Sequence, residues 1–506
     1  MHARRRSTSL PPNDAPYQPI PQEVYSPDFA HAIPSTVLET ELDVEEAEGA
    51  VLSDPILPHP VDNQVRWIHF VLGCAVLLPW NVMITATPYF LSRLEGSPMR
   101  RAFSSYLSTS FTFANFFFLA HATATSKKAS SSKQVQWATL TLAILTLLLT
   151  LSTYVTLPPS LFFPFVIVNA IAQAGAGSYL QTSVVAIASL FGPATMQAVM
   201  SGQAAVAIVV SSVQVISASA SLRTSSAPAA AIAGNGDTEA RSAFIFFALS
   251  TMFLVATAGA NVWLTRMPAF RAIVAPAAGD EPHYARARSL SVDQSERRPL
   301  VSDAADLSAS GKSRILRIAK KNVLYELAVA YVFVITLSVF PPLTISVQPT
   351  NPNTSPLIFS SIHFLVFSCG DFLGRHLCSY PRLLIWSAKR LGTLSLLRTL
   401  FIPLFLACNI QRDPGMPAGA STPLIGSDVL FMLILLVFGV SNGYVSSLCM
   451  MSAGSLEHNR RLEGRKEDVD IAATVASFCL VGGLVLGSVM SFGVRAAVCG
   501  CNPFTA

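Results

Sequence analysis

The sequence predicts an all-α integral membrane protein, and three observations carry that prediction. The 506-residue chain is 51% hydrophobic and 12% charged, with mean hydropathy +0.49, whereas soluble domains carry about 25% charged residues. Its apolar residues gather in eleven runs, at about 65–91, 103–124, 135–157, 160–187, 193–220, 242–265, 322–346, 357–379, 391–410, 427–453 and 470–496. Each is close to the ~20 residues a helix needs to cross a bilayer. The runs are continuous and not alternating, which excludes a β-barrel; their length excludes an ordinary soluble enzyme.

The segments between the runs set the organisation. Residues 1–62 are rich in Pro, Ser and acidic residues and lack hydrophobic periodicity, so a disordered tail is expected. The first apolar run begins near residue 65, so the first spanning segment serves as the insertion signal and stays. Residues 63–266 hold runs one to six. Residues 267–316, mixing Pro, Ser, Arg and Asp, read as a disordered loop, 317–500 hold runs seven to eleven, and 501–506 form a short tail.

Charge predicts the orientation, because short loops rich in Lys and Arg stay in the cytoplasm. Arg4, Arg5 and Arg6 precede run one, and Lys127, Lys128 and Lys133 follow run two. Arg314, Arg317, Lys320 and Lys321 precede run seven, Lys389 and Arg390 precede run nine, and Arg460, Arg461, Arg465 and Lys466 precede run eleven. All fall on one side if the N-terminus is cytoplasmic. Arg93, Arg100 and Arg101 depart slightly from the pattern. The net charge of +5 is thus explained by topology, without nucleic acid as a partner. Six of the eight cysteines lie in or at the ends of apolar runs, where they act as small hydrophobes. No Cys/His spacing suits a metal, and no Gly-x4-Gly-Lys-Ser/Thr loop suggests ATP-driven pumping, so no cofactor is expected.

Polar residues inside the runs are the candidates for function. Asp371 and Arg375 stand in the eighth run. An ionised group at mid-membrane costs about 2.5–3.5 kcal/mol on insertion scales, and the i, i+4 spacing puts both on one helical face. Two readings are open: an ion pair that locks helices together, and a face that grips a polar solute. In run one, Pro79 loosens the helix, Trp80 offers a flat face for a ring, and Asn81 offers a donor and an acceptor; a kink beside an interfacial Trp is the plainer reading. Gly177 and Gln181 share a face of run four, either for packing or for bringing a ligand to an amide. Gly202 in Met200-Ser201-Gly202-Gln203 and Asn442 in Ser441-Asn442-Gly443-Tyr444 read as close helix packing with hydrogen bonds across helices. Phe340-Pro341-Pro342 breaks run seven near its outer end, as a gate or as a simple stop.

Taken in order, these pieces resemble the equilibrative nucleoside transporters, of fungal type. The matching segments are Leu77-Leu78-Pro79-Trp80-Asn81, Gln181, Val199-Met200-Ser201-Gly202-Gln203, Phe340-Pro341, Asp371-Phe372-Leu373-Gly374-Arg375 and Ser441-Asn442-Gly443-Tyr444. The resemblance covers about 65–500. It implies a major-facilitator-like architecture, six helices against five around a central cavity. It also implies roles: Trp80 stacking near the nucleoside, Ile84 lining the base pocket, Gln181 hydrogen-bonding the base, and Asp371 and Arg375 holding ribose hydroxyls. Phe364 packs on the solute, and Gly177 leaves room beside Gln181. Ser368 stands where animal members commonly carry Asn, which shifts the hydrogen bonds available to the solute. The segment after run one, 92–102, is short.

The expected function is movement of nucleosides down their gradient by alternating access, in the plasma or the vacuolar membrane. The alternatives are a proton-coupled transporter of nucleosides, nucleobases or another polar solute, and a receptor or scaffold that moves nothing. Arg286-Ala287-Arg288-Ser289 resembles a basic-residue-directed phosphosite, which would make a kinase a partner at Ser289. Membrane lipid is the other expected partner.

Overall fold

A computed structural model of the chain describes residues 62–100, 103–125, 131–225, 235–277, 303–351, 354–410 and 423–499. The N-terminal tail, Ser289 and residues 501–506 lie outside them. The helices are α1 (Asn63–Thr85), α2 (Thr87–Arg93), α3 (Phe103–Thr125), α4 (Ser131–Ser152), α5 (Pro159–Leu190), α6 (Pro193–Ser225), α7 (Asn235–Arg266) and α8 (Pro268–Ala277). They continue with α9 (Asp303–Val339), α10 (Pro356–Leu377), α11 (Ala388–Leu397), α12 (Phe401–Leu406), α13 (Asp428–Ala453) and α14 (Val469–Cys499).

Eight of these are long and apolar enough to cross a membrane: α1, α4, α5, α6, α7, α9, α13 and α14. The second and eighth runs form the single helices α3 and α10, of 23 and 22 residues. The ninth run is broken into α11, a 3-10 turn over Arg398–Leu400, and α12. Pro403 explains the break, since it has no N–H for the Thr399 carbonyl and its ring crowds that oxygen. Run one also divides, with Pro88 in the first turn of α2. The turn between runs four and five falls at Gly192, whose φ of +94° suits glycine; Pro193 then opens α6, where a missing N–H is no loss.

The segment 267–316, expected to be disordered, is helical at both ends. Pro268–Ala277 forms α8, and α9 begins at Asp303, so one 37-residue helix carries its polar first turns into the seventh run. Its backbone bonds continue past the apolar stretch because Ala, Leu, Ile, Lys and Arg between 312 and 321 are good or fair helix formers.

Two sets of helices pack internally and meet along a seam. In the first, α1 lies on α6 and α7, α3 and α4 lie on α5, and α4 lies on α7. In the second, α9 lies on α14 and α13, and α10 lies on α13. The seam is made by α6 against α10 and α13, and by α14 against α3 and α5. Close approach depends on glycine. A Cβ at Gly202 would strike the Phe70 carbonyl of α1, and one at Gly443 would strike the Asp371 carbonyl of α10. Cys74, Cys369, Cys378, Cys408, Cys449 and Cys479 are free thiols.

Candidate functional site

Asp371 and Arg375 are both buried, at 6% and 5% exposure, in the last two turns of α10, where it meets α6 and α13. Arg375 Nε donates to Asp371 Oδ2 at 2.9 Å, as the i, i+4 spacing predicts. Asn442 Nδ2 of α13 donates to Asp371 Oδ1 at 2.6 Å. The carboxylate is therefore held by a cation on its own helix and an amide on the next. Such charge-assisted bonds are the strong ones, and they offset the cost of burying the ion.

The same arginine reaches across the seam. Arg375 Nη1 donates to the Met200 carbonyl of α6 at 3.0 Å, and Gln197 of α6 donates to the Arg375 carbonyl at 3.1 Å. One turn earlier, Ser368 Oγ lies 3.1 Å from Ser211 Oγ of α6 and also bonds to the Phe364 carbonyl. Gln181 of α5 donates to Ser477 of α14 at 2.9 Å, and Phe116 of α3 stacks on Phe478 at 5.4 Å. These contacts between the halves run from about the midpoint of the helices to the end bearing the Lys- and Arg-rich connections.

The remaining predicted site residues sit apart from the ion pair. The Trp80 ring lies 4.7 Å from that of Phe111, within the first half. Asn81 Nδ2 donates to the Leu77 carbonyl of its own helix, a bond made beside the donor that Pro79 lacks. Ile84 is 37% exposed, and a Cβ at Gly177 would meet open space. Phe364 packs edge-on against Phe340, which stacks on Phe367 at 4.0 Å. Phe340 and Pro341 follow the end of α9, and His363 accepts or donates at Thr344 beside them at 2.8 Å. The structure thus joins Asp371, Arg375 and Asn442 in one network that reaches α6 through Arg375, and ties Ser368 to α6 by a separate bond, while Trp80, Gln181 and the Phe340 cluster are held by other partners.

Arg398 belongs to that network and was not among the predicted residues. It is 2% exposed, at the break in the ninth run. Its Nη2 donates to Thr336 Oγ1 at 2.8 Å and approaches Asn442 Oδ1 at 3.4 Å. Its Nη1 donates to the Phe438 carbonyl and to Ser441 Oγ, and its guanidinium stands 4.6 Å over the Phe438 ring. The signal was present: Arg398 is a charge inside an apolar run, like Asp371 and Arg375. Glu326, buried at 6% in α9, carries the same signal.

At the Lys/Arg-rich end, α9 is clasped to the segment before α14. Arg314 Nε and Arg317 Nη2 donate to the two oxygens of Asp468, at 2.7 and 3.1 Å. Lys321 pairs with Glu463, and its bond and charge hold that carboxyl below the usual range. Trp386 stacks on His458 at 3.8 Å, and burial lowers the His458 imidazole from its ordinary value.

The nucleoside transporter family model matches residues 166–496. Equilibrative nucleoside transporter 1 of Rattus norvegicus is 27% identical, over 85% of this chain and 96% of its own. The Homo sapiens protein of that name is 26% identical over the same shares. Equilibrative nucleoside transporter 2 of Homo sapiens is 32% identical over 41% of this chain and 43% of its own. Among solved structures, the E. coli fucose:proton symporter FucP superposes with a TM-score of 0.51 at 14% identity, over 87% of this chain and 94% of that one. At that identity the likeness concerns the fold.

Proposed function

The chain belongs to the nucleoside transporter family, and we propose that it carries nucleosides down their gradient along the seam between its two halves. It is an integral, multi-pass membrane protein. The observation that carries the route is the Asp371–Arg375 pair, buried in the seam and bonded to both halves. A ribose presents vicinal hydroxyls, which need an acceptor and a donor side by side; a carboxylate and a guanidinium supply both.

In this reading the halves rock about the pair. The bonds of Arg375 to Met200, Gln197 to Arg375 and Ser368 to Ser211 close the end with the basic connections. Breaking them opens that end and frees Arg375 for the solute. Trp80 supplies an aromatic face for the base and Gln181 an amide, each released from its present partner as the halves move. Ser368, already bonded to α6, is a hydroxyl where a longer amide would reach further into the seam.

Counterflow tests this. Vesicles preloaded with unlabelled uridine should take up labelled uridine faster than empty ones, with no pH or ion gradient imposed. No acceleration above vesicles lacking the protein would reject nucleoside carriage.

A further inference from the structure

Asp371 is paired directly with one guanidinium, Arg375 of its own helix, and a second stands one residue away. Arg398 approaches it from the ninth run through a single intermediary, Asn442. The orientation of that amide is fixed by chemistry: its NH2 must face the carboxylate and its oxygen must face the guanidinium and Thr336, as found. Reversing it would point a donor at a cation. Arg398 is buried, anchored to Thr336, Ser441 and the Phe438 carbonyl, and faces the second half only. Arg375, by contrast, is bonded across the seam, so movement of the halves must disturb it.

We propose that Arg398 is a positioning residue that keeps Asp371 ionised and oriented, through Asn442, while Arg375 is released from its cross-seam bond. This rests on the nucleoside reading above and adds to it a consequence for coupling. A carboxylate left alone in the membrane takes a proton, and a carrier whose central carboxylate takes a proton in one state carries protons with its solute. With Arg398 beside it in every state, Asp371 holds its charge and serves as a hydrogen-bond acceptor for the solute throughout the cycle. The charged groups joined to Asp371 are then Arg375, directly from its own helix, and Arg398 of the broken ninth run, through Asn442 of α13. From α9 the uncharged Thr336 bonds to that Asn442, and from α6 the uncharged Gln197 bonds to the Arg375 carbonyl.

The test is the pH profile of labelled uridine uptake by the full chain in vesicles, normalised to the protein present. Wild-type uptake should stay flat as pH falls from about 7.5 to about 5.5. Arg398→Gln should lose about threefold or more over that interval, because Asp371 then lacks its standing cationic neighbour. Arg398→Lys, which keeps a charge without the fork, should stay flat at a lower rate. A Gln variant as flat as wild type overturns the proposal. If that variant does not reach the membrane, Asn442→Ser decides: it cuts the link while leaving both guanidiniums, so acid-sensitive uptake supports the proposal and a flat profile overturns it. Absence of uridine uptake by the wild type would instead remove the nucleoside reading itself.

Discussion

A carboxylate paired with one guanidinium and linked through an amide to a second, inside a bundle of apolar helices, is stable only while its partners stay in place. Truncating one partner of a buried pair costs about 3–5 kcal/mol, since the other ion is left without compensation. Arg375→Ala should therefore abolish uridine uptake with the protein still in the membrane; uptake within twofold of wild type would make the pair a structural brace. Glu326 makes the opposite case. Its Oε1 is buried with no hydrogen-bond partner among the described residues. Replacing it by the neutral isostere in Glu326→Gln should raise stability by about 1 kcal/mol and leave transport intact. A thermal-melt comparison checks the first part; a tenfold loss of uptake would show that the carboxylate serves the cycle. Charges in apolar runs were readable from the sequence, and so was the i, i+4 pair, since a helix fixes that geometry. The partners were not: Asn442 is 71 residues from Asp371 and Met200 is 175 from Arg375. Only packing brings them together.

Between elements, the glycines decide how near two helices come. Gly370 and Gly374 of α10 face Gly439 and Gly443 of α13, each with the opposing backbone where its Cβ would stand. The Asn442–Asp371 bond depends on that approach. Gly443→Ala should push α10 from α13, cut uridine uptake at least about tenfold and lower the melting temperature by several degrees, as overpacking typically costs 1–3 kcal/mol. An unchanged rate would mean that the network tolerates the displacement. Helix existence was readable throughout from run length, and the Ser441–Tyr444 stretch was readable as close packing. What hydropathy concealed were interruptions and extensions. The ninth run has the apolarity of a span but a proline at 403, and α9 continues into a segment that composition assigns to a loop. Hydropathy reports where a chain is apolar; it does not report where backbone hydrogen bonding stops.

At the scale of the whole molecule, the polar contacts between the two halves can be tested directly for their part in the cycle. Ser211 of α6 and Ser368 of α10 bring their hydroxyls within 3.1 Å across the seam. Each belongs to a different half, so a bond between them would prevent the halves from separating there. Hydroxyls 3.1 Å apart mark positions where paired cysteines can be tested for the ~2.05 Å bond of a disulfide. Cys369 is adjacent and half-buried, and is replaced by Ser in the same background to keep the pairing unique. Oxidising Ser211→Cys/Ser368→Cys should reduce uridine exchange at least about tenfold, and a reductant should restore it, because the alternating route requires this contact to open once per cycle. The oxidised protein should still bind uridine from the side left open, seen as a thermal shift. Cross-linked protein that exchanges uridine at the wild-type rate would show that the halves do not part at this seam.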